Sequence, residues 1–101
     1  MKFHLSHSLN LSKCYNVTDV SKLGGVHTLN LSYCSLITDV SALENVHTLN
    51  LTNCLYITDY SMSGKVHSLN LSTCPSITDV GMLRNVHIIN KVFTFIYNCF
   101  V

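Results

Sequence analysis

Charge is scarce in this 101-residue chain and does not cluster. Six basic side chains stand against five acidic ones, so the formal net charge is +1, and charged residues make up 11% of the sequence. A protein that binds nucleic acid through its phosphates needs a basic patch or stripe. The chain has no such stripe, and we expect no nucleic-acid partner.

A long apolar run is also missing. Residues 1–7, Met-Lys-Phe-His-Leu-Ser-His, do not contain the apolar segment of a secretory signal. The most apolar stretch, residues 88–101, is roughly fourteen residues long and too short to cross a bilayer. We therefore expect no membrane partner and a cytoplasmic location.

A twenty-residue repeat fills most of the chain. Written in rows of twenty, the sequence aligns five histidines in one column: His7, His27, His47, His67 and His87. Counted from these histidines, rows 1 to 4 are residues 7–26, 27–46, 47–66 and 67–86. A fixed period in this range is the signature of a solenoid, in which each unit buries its apolar face by stacking on its neighbours.

Each column of the repeat has its own chemistry. Leucines stand two and four residues after the histidine, as at Leu9 and Leu11. This period of two predicts a short strand of about three to five residues, centred on Leu-Asn-Leu, with one apolar face. A cysteine follows in every full row, at Cys14, Cys34, Cys54 and Cys74. A Thr-Asp pair then favours a short helical or 3₁₀ turn, because its side-chain oxygens accept backbone N–H groups.

Read as L-x-x-L-x-L-x-x-C-x-x-I from Val26, the row resembles the leucine-rich repeat family, in four successive copies over about residues 6–91. The Cys-x-x-Ile-Thr-Asp segment is similar to the cysteine-containing subclass, and Ile-Thr-Asp-Val-Ser-x-Leu resembles the convex half of internalin-type repeats. Short, near-identical rows of this kind are similar to those of amoebae and giant viruses. The resemblance implies an α/β solenoid with a parallel sheet on its concave side, 3₁₀ or helical turns on its convex side, and protein–protein contact as its use.

The chain divides into three segments. Residues 1–6 form an N-terminal edge, residues 7–86 hold four leucine-rich repeats, and residues 87–101 are a divergent hydrophobic segment. Two interpretations of this last segment stay open: a cap that folds over the last coil, or the product of a truncated, longer repeat gene. Uncovered apolar ends would also allow end-to-end self-association.

The cysteine column predicts buried, reduced thiols, since free cysteine behaves as a small buried hydrophobe. A zinc site needs ligands that converge on one tetrahedral centre, which a straight column does not supply. Reduced cysteines and the missing signal both favour the cytosol. No nucleophile is singled out and no pocket is implied, so we expect no enzyme activity, no cofactor and no metal site.

The polar strand positions, which face away from the leucines, form the candidate partner-binding surface. We expect the partner, an unidentified protein, to contact Thr28, Asn30, Ser32, Tyr33, Thr48, Asn50, Asn53, Ser68, Asn70 and Thr73. The asparagines of this surface are predicted to bond to one another in a ladder. Interface hot spots favour Trp, Tyr and Arg, and this surface offers chiefly Tyr33.

Three functions are consistent with the sequence. The first is a non-catalytic interaction scaffold of leucine-rich repeat type, with its partner on the concave strand face. The second is a structural fragment of a longer repeat protein without a partner of its own. The third is a metal-binding or pH-responsive module built on the histidine column, although partly packed, hydrogen-bonded histidines are the favoured interpretation of that column.

Overall fold

The twenty-residue repeat forms a parallel sheet in the computed structural model, which describes residues 7–61, 66–77 and 88–90. The strands are β1 (Ser8–Asn10), β2 (Thr28–Asn30), β3 (Thr48–Asn50), β4 (Ser68–Asn70) and β5 (Ile88–Asn90). They lie in chain order, and each pairs with the next in parallel. Because Leu9 lies opposite Leu29 and Leu29 opposite Leu49, the register follows the sequence period. This layout is compatible with a solenoid-like coil.

The strands are centred one residue earlier than the sequence predicted. Each has three residues with the first leucine of the row in the middle, whereas the prediction placed the asparagine there. The chain turns at once after the asparagine, because Cys14 N–H donates to the Leu11 carbonyl at 3.1 Å. Bonds between rows still extend past the strands: Leu31 N–H donates to the Asn50 carbonyl at 2.9 Å.

The turn after each strand contains a residue with positive φ. These residues are Lys13 (63°), Tyr33 (64°), Asn53 (61°) and Thr73 (57°). A positive φ at the third residue of a four-residue turn is the mark of a type II turn, which favours glycine or asparagine there. Only Asn53 suits this rule, so three of the four rows carry a less favourable residue.

The core is built from the same columns in every described row. Its fully buried side chains include Leu29, Leu31, Leu49, Leu51, Leu69 and Leu71, together with Cys34, Cys54, Cys74, Ile37, Ile57 and Ile77. In row 1 the equivalent residues Leu9, Leu11, Cys14 and Val17 are only partly buried. The reason is geometrical, since row 1 has one described neighbouring row and rows 2 and 3 have two.

The Thr-Asp segments form the predicted turns where they are described. Row 2 has a 3₁₀ helix at Ser41–Leu43, and row 1 a single turn in which Leu23 N–H donates to the Val20 carbonyl at 3.0 Å. Rows 2 and 3 are also bridged here, by Asp59 N–H donating to the Thr38 carbonyl at 3.0 Å. Rows 2 and 3 are therefore hydrogen-bonded to each other at two places, along the strands and at the Thr-Asp segments.

Several predictions fall outside the described ranges. The N-terminal edge 1–6 is among them, and so are residues 91–101, so the choice between cap and truncation product stays open. The sheet does continue into the divergent segment, since β5 pairs with β4 in the common register. Within the described residues, no helix is long and apolar enough to span a bilayer.

Candidate functional site

The strand face consists of the side chains that point away from the core leucines. In β2, β3 and β4 the flanking residues Thr28, Asn30, Thr48, Asn50, Ser68 and Asn70 are partly exposed, while the central leucine is buried. Parallel pairing sets Thr28 beside Thr48 and Thr48 beside Ser68. Six of the ten expected contact residues thus lie side by side in the strands. The other four, Ser32, Tyr33, Asn53 and Thr73, lie in the turn that follows each strand.

The asparagines of the strand face stabilise their own turns. The Oδ1 atoms of Asn30, Asn50 and Asn70 accept hydrogen bonds at 2.9 Å from the backbone N–H two residues later, in Ser32, Thr52 and Ser72. Their oxygen therefore caps the turn within the row and does not bond to the next asparagine, contrary to the predicted ladder. The reason is that an asparagine side chain readily accepts a hydrogen bond from the backbone N–H two residues later, which forms an Asx turn.

Two expected contact residues are placed differently from their neighbours. Ser32 is buried, with 7% of its surface exposed, so it offers a partner little area. Tyr33 is 41% exposed, and the Lys13 Nζ lies 5.9 Å from the centre of its ring, within the range of a cation–π interaction. Tyr33 is thus the large side chain available to a partner at this end of the strand face.

The histidine column flanks the strand face as a stack of parallel rings. The rings of His27 and His47 are 4.6 Å apart with planes 8° from parallel, and those of His47 and His67 are 4.8 Å apart at 13°. The His47 Nδ1 lies 3.0 Å from the Thr48 hydroxyl. Partial desolvation within the stack, followed by the charges of His27 and His67, lowers the pKa of His47 below its usual value.

Stacked rings are poorly arranged for metal binding. The nitrogen lone pairs lie in the ring planes, so parallel rings do not direct them at one point between them. Among the described residues, no group of three or more His, Cys, Asp or Glu side chains is placed to hold a metal ion. The rings of His27 and His47 instead stack on each other, and the Nδ1 atom of each lies within hydrogen-bond distance of the hydroxyl group of the next threonine.

The cysteine column is closed to solvent beyond row 1. Cys34, Cys54 and Cys74 are buried thiols, as predicted, while Cys14 is partly exposed. Each buried thiol donates to a carbonyl of the preceding row: Cys34 to Leu11 at 3.1 Å, Cys54 to Leu31 at 3.1 Å and Cys74 to Leu51 at 2.8 Å. Burial raises the pKa of Cys54 to about 12, so this thiol is no nucleophile near neutral pH.

The aspartates stabilise the turns of the Thr-Asp segments. An open groove of about 210 Å³ is lined by Thr18, Asp19, Ser21, Asp39, Ser41 and Ala42. The Asp39 Oδ1 accepts the Ser41 hydroxyl at 2.7 Å and the Ser41 N–H at 2.9 Å. These bonds lower the pKa of Asp39, which leaves an ionised, structurally engaged carboxylate and no general acid.

A second surface, which the sequence reasoning missed, lies where the chain leaves the strands. We define the turn edge as residues 13–16, 33–36, 53–56 and 73–76. It carries the exposed large hydrophobic side chains of the described residues: Tyr15 (58%), Tyr33 (41%), Leu36 (50%) and Tyr56 (59%). The sequence did contain a sign of this surface, because its exposed residues stand in columns of the repeat where the residue type differs from row to row.

Comparison of the chain with protein-family models, with curated proteins and with solved structures gave no match.

Proposed function

We propose that the chain is a solenoid of leucine-rich repeat type that acts as a non-catalytic protein–protein interaction scaffold, with a partner protein on the strand face. One observation carries this proposal: the parallel register lays equivalent polar residues of successive rows side by side, from Thr28 to Thr48 to Ser68. Such a continuous face is what stacked repeats offer to a partner.

The state of the reactive side chains supports a binding role over a catalytic one. The buried cysteines donate hydrogen bonds to backbone carbonyls, and the described aspartates accept them from serines in their own turns. The buried thiols are thus engaged between rows, and the aspartates within their own turns. Buried thiols also support the cytoplasmic location, where thiols stay reduced.

Capture from cell lysate followed by mass spectrometry tests the strand face. Variants Tyr33→Asn and Thr48→Ala should lose most of a captured partner, and asparagine keeps the positive φ that Tyr33 has. The matched control is Lys22→Ala, an exposed residue outside the strand face. A partner that is retained equally by all three variants would exclude this face as the contact surface.

The proposal includes end-to-end self-association. Among the described strands, β1 has a neighbour on one side only, and the apolar residues of row 1 are incompletely covered. Light scattering on the full chain over a range of concentrations tests this. A mass that rises with concentration supports it, and a constant monomer mass contradicts it.

A further inference from the structure

The cysteine column reaches solvent at its row 1 end. Cys14 is partly exposed, whereas Cys34, Cys54 and Cys74 are buried. The local turn is the same in rows 1 to 3, since the cysteine N–H donates to the carbonyl three residues earlier at 3.1 Å in each of them. The exposure of Cys14 therefore comes from its place in the stack, where row 1 has one described neighbouring row. An oxidant in solution meets this thiol first.

The Cys34 thiol and the backbone of Cys14 meet at one carbonyl oxygen. The Leu11 oxygen accepts the Cys34 thiol at 3.1 Å and also the Cys14 N–H at 3.1 Å. The pKa of Cys34 reflects the same proximity. Desolvation raises this pKa, the Cys14 N–H lowers it, and the Cys14 thiol raises it. The buried thiol of row 2 thus lies beside the residue that carries the exposed thiol of row 1.

The spacing of the rows is close to what a disulfide needs. Lys13 N–H donates to the Ser32 carbonyl at 2.9 Å, so the two rows stay paired up to the residue before Cys14. Neighbouring parallel strands are about 4.8 Å apart, and the Cα atoms of a disulfide are usually about 4.4–6.8 Å apart. The Cβ atoms must come within about 3.5–4.5 Å, so the side chains still have to approach. Row 1 can make this small move, because its second side has no described row.

The other neighbouring cysteines are poorly placed for the same reaction. Cys34 and Cys54 each lie between two described rows, and neither exposes any of its surface. Burial also raises the pKa of Cys54 to about 12, and the thiolate is the form that reacts with oxidants. Oxidation should therefore begin at Cys14 and continue to the thiol of the adjoining row.

We propose that Cys14 and Cys34 form a peroxide-sensitive redox pair that reversibly links row 1 to row 2. The Cys14 thiolate first attacks one oxygen of hydrogen peroxide, the O–O bond breaks, hydroxide leaves, and Cys14 becomes a sulfenic acid. The Cys34 sulfur then attacks the Cys14 sulfur, the S–O bond breaks, and the departing hydroxide takes the Cys34 proton to form water. Two thiols lose two electrons in total, and one peroxide is reduced to two waters.

The disulfide would replace one contact between the rows by another. The hydrogen bond from Cys34 to Leu11 is lost, and a covalent link across the same two rows takes its place. A small thiol such as glutathione reverses the link by thiol–disulfide exchange. Disulfides of cytosolic proteins are usually transient and often sense oxidants, which fits the proposed location. The redox pair is independent of the strand face and needs no partner there.

Peptide mapping of the full-length chain after mild oxidation tests the proposal. The folded protein is treated with about one molar equivalent of hydrogen peroxide, and the remaining thiols are blocked with N-ethylmaleimide. Cleavage after lysine, arginine and glutamate places each of the five cysteines on its own peptide: 14–22, 23–44, 45–65, 66–84 and 92–101. We expect peptide 14–22 joined to 23–44 as the main disulfide, and its disappearance after dithiothreitol.

Three variants show whether the pair itself is responsible. Cys34→Ser should lose the link and leave Cys14 as a sulfenic acid that dimedone traps, with Cys34→Ala as the substitute if the serine variant does not fold by circular dichroism. The matched control is Cys54→Ser, since Cys54 is equally buried and also donates to a carbonyl of the preceding row at 3.1 Å. It should keep the link. Cys99→Ser, a change outside the described residues, should keep it as well.

Several results would overturn the redox pair. Cys14 could oxidise to the sulfinic acid with no link to peptide 23–44, or the main disulfide could join two other peptides. A disulfide between two copies of peptide 14–22 would mean that Cys14 reacts with a second chain instead. A link that forms only in urea would come from the unfolded chain, and it would contradict a pair that the folded stack brings together.

Discussion

Among the residues that the structure describes, four hold the backbone in the left-handed region, and none of these four is glycine. For L-amino acids this conformation costs roughly 1–2 kcal/mol, less for asparagine, whose short polar side chain tolerates it. Asn53 is therefore well suited to its turn, and β-branched Thr73 is the least suited of the four. Asn53 and Thr73 thus place a favourable and an unfavourable residue at equivalent positions of two rows.

Exchanging these two residue types should shift stability in opposite directions. Thr73→Asn relieves backbone strain and should raise the free energy of unfolding by about 0.5–1 kcal/mol. Asn53→Thr introduces the same strain and should lower it by a similar amount. Urea unfolding followed by circular dichroism measures both, and a shift of the same sign in both variants would contradict the assignment of strain to this turn.

The cysteines should differ sharply in reactivity within one native chain. Burial raises the pKa of Cys54 from its ordinary 9.0 to about 12, and only the thiolate reacts with alkylating reagents. At about pH 8, iodoacetamide should modify the partly exposed Cys14 at least about ten times faster than Cys54. Peptide mapping by mass spectrometry separates the sites. Equal rates in the absence of urea would show that the stack opens readily.

The raised pKa of Cys54 also makes the free energy of unfolding depend on pH in alkaline solution. A raised pKa means that the folded state favours the protonated thiol of Cys54. Its contribution is fully present below pH 9.0 and is lost as the pH rises through about 12. The loss of stability that Cys54 causes should therefore appear only in alkaline solution, as a lower urea midpoint.

At the scale of the element, the histidine stack couples rows 2, 3 and 4 beside the strands. Its central ring, His47, is flanked by His27 and His67, so protonation would place like charges on rings less than 5 Å apart. The pKa of His47 is lowered first by desolvation and second by this repulsion from His27 and His67.

Acid should therefore destabilise the folded chain through this element. A histidine whose pKa is depressed by folding contributes stability that is present above its ordinary value of 6.5 and is lost as the pH falls through the folded value. The urea midpoint should be lower at about pH 5 than at about pH 7.5, and His47→Asn should reduce the difference. An unchanged pH dependence in that variant would show that other groups control it.

At the scale of the whole molecule, stability should depend on a row's place in the stack. Leu49 lies in row 3 and is buried on both sides, whereas its equivalent Leu9 in row 1 is partly exposed. Leu49→Ala should cost about 2–5 kcal/mol, the usual range for a buried leucine, and Leu9→Ala clearly less. Thermal and urea unfolding of the pair measure this difference, and an equal or larger loss in Leu9→Ala would contradict the described packing.

The period of the sequence predicted the parallel register, because twenty-residue copies can only align equivalent residues by stacking. It also predicted the burial of the leucine and cysteine columns. The prediction placed the strand centres one residue too late. Lys13 and Tyr33 occupy left-handed turn positions, and because neither is glycine, nothing in the sequence indicated that the chain turns there. The predicted asparagine ladder was wrong because Asn30 and its equivalents close their own turns.

The turn edge was missed for a different reason. The repeat pattern indicated a functional surface in the regular polar columns, whereas the columns of Tyr15, Leu36 and Tyr56 are irregular. Only the structure places these three residues in adjacent turns and leaves them exposed. The strand face as partner surface stays a prediction, now with Ser32 buried within it.

The strand face requires that successive rows pair in parallel, twenty residues apart. Nuclear Overhauser effects across the sheet in the full-length protein test this most directly. We predict contacts that join Leu29 to Leu9 and Leu49, and slow amide exchange at Leu31 and Leu51, whose N–H groups donate to Asn50 and Asn70 carbonyls at 2.9 Å. Contacts in an antiparallel sense, or between residues at another spacing, would contradict the stack and remove the strand face with it.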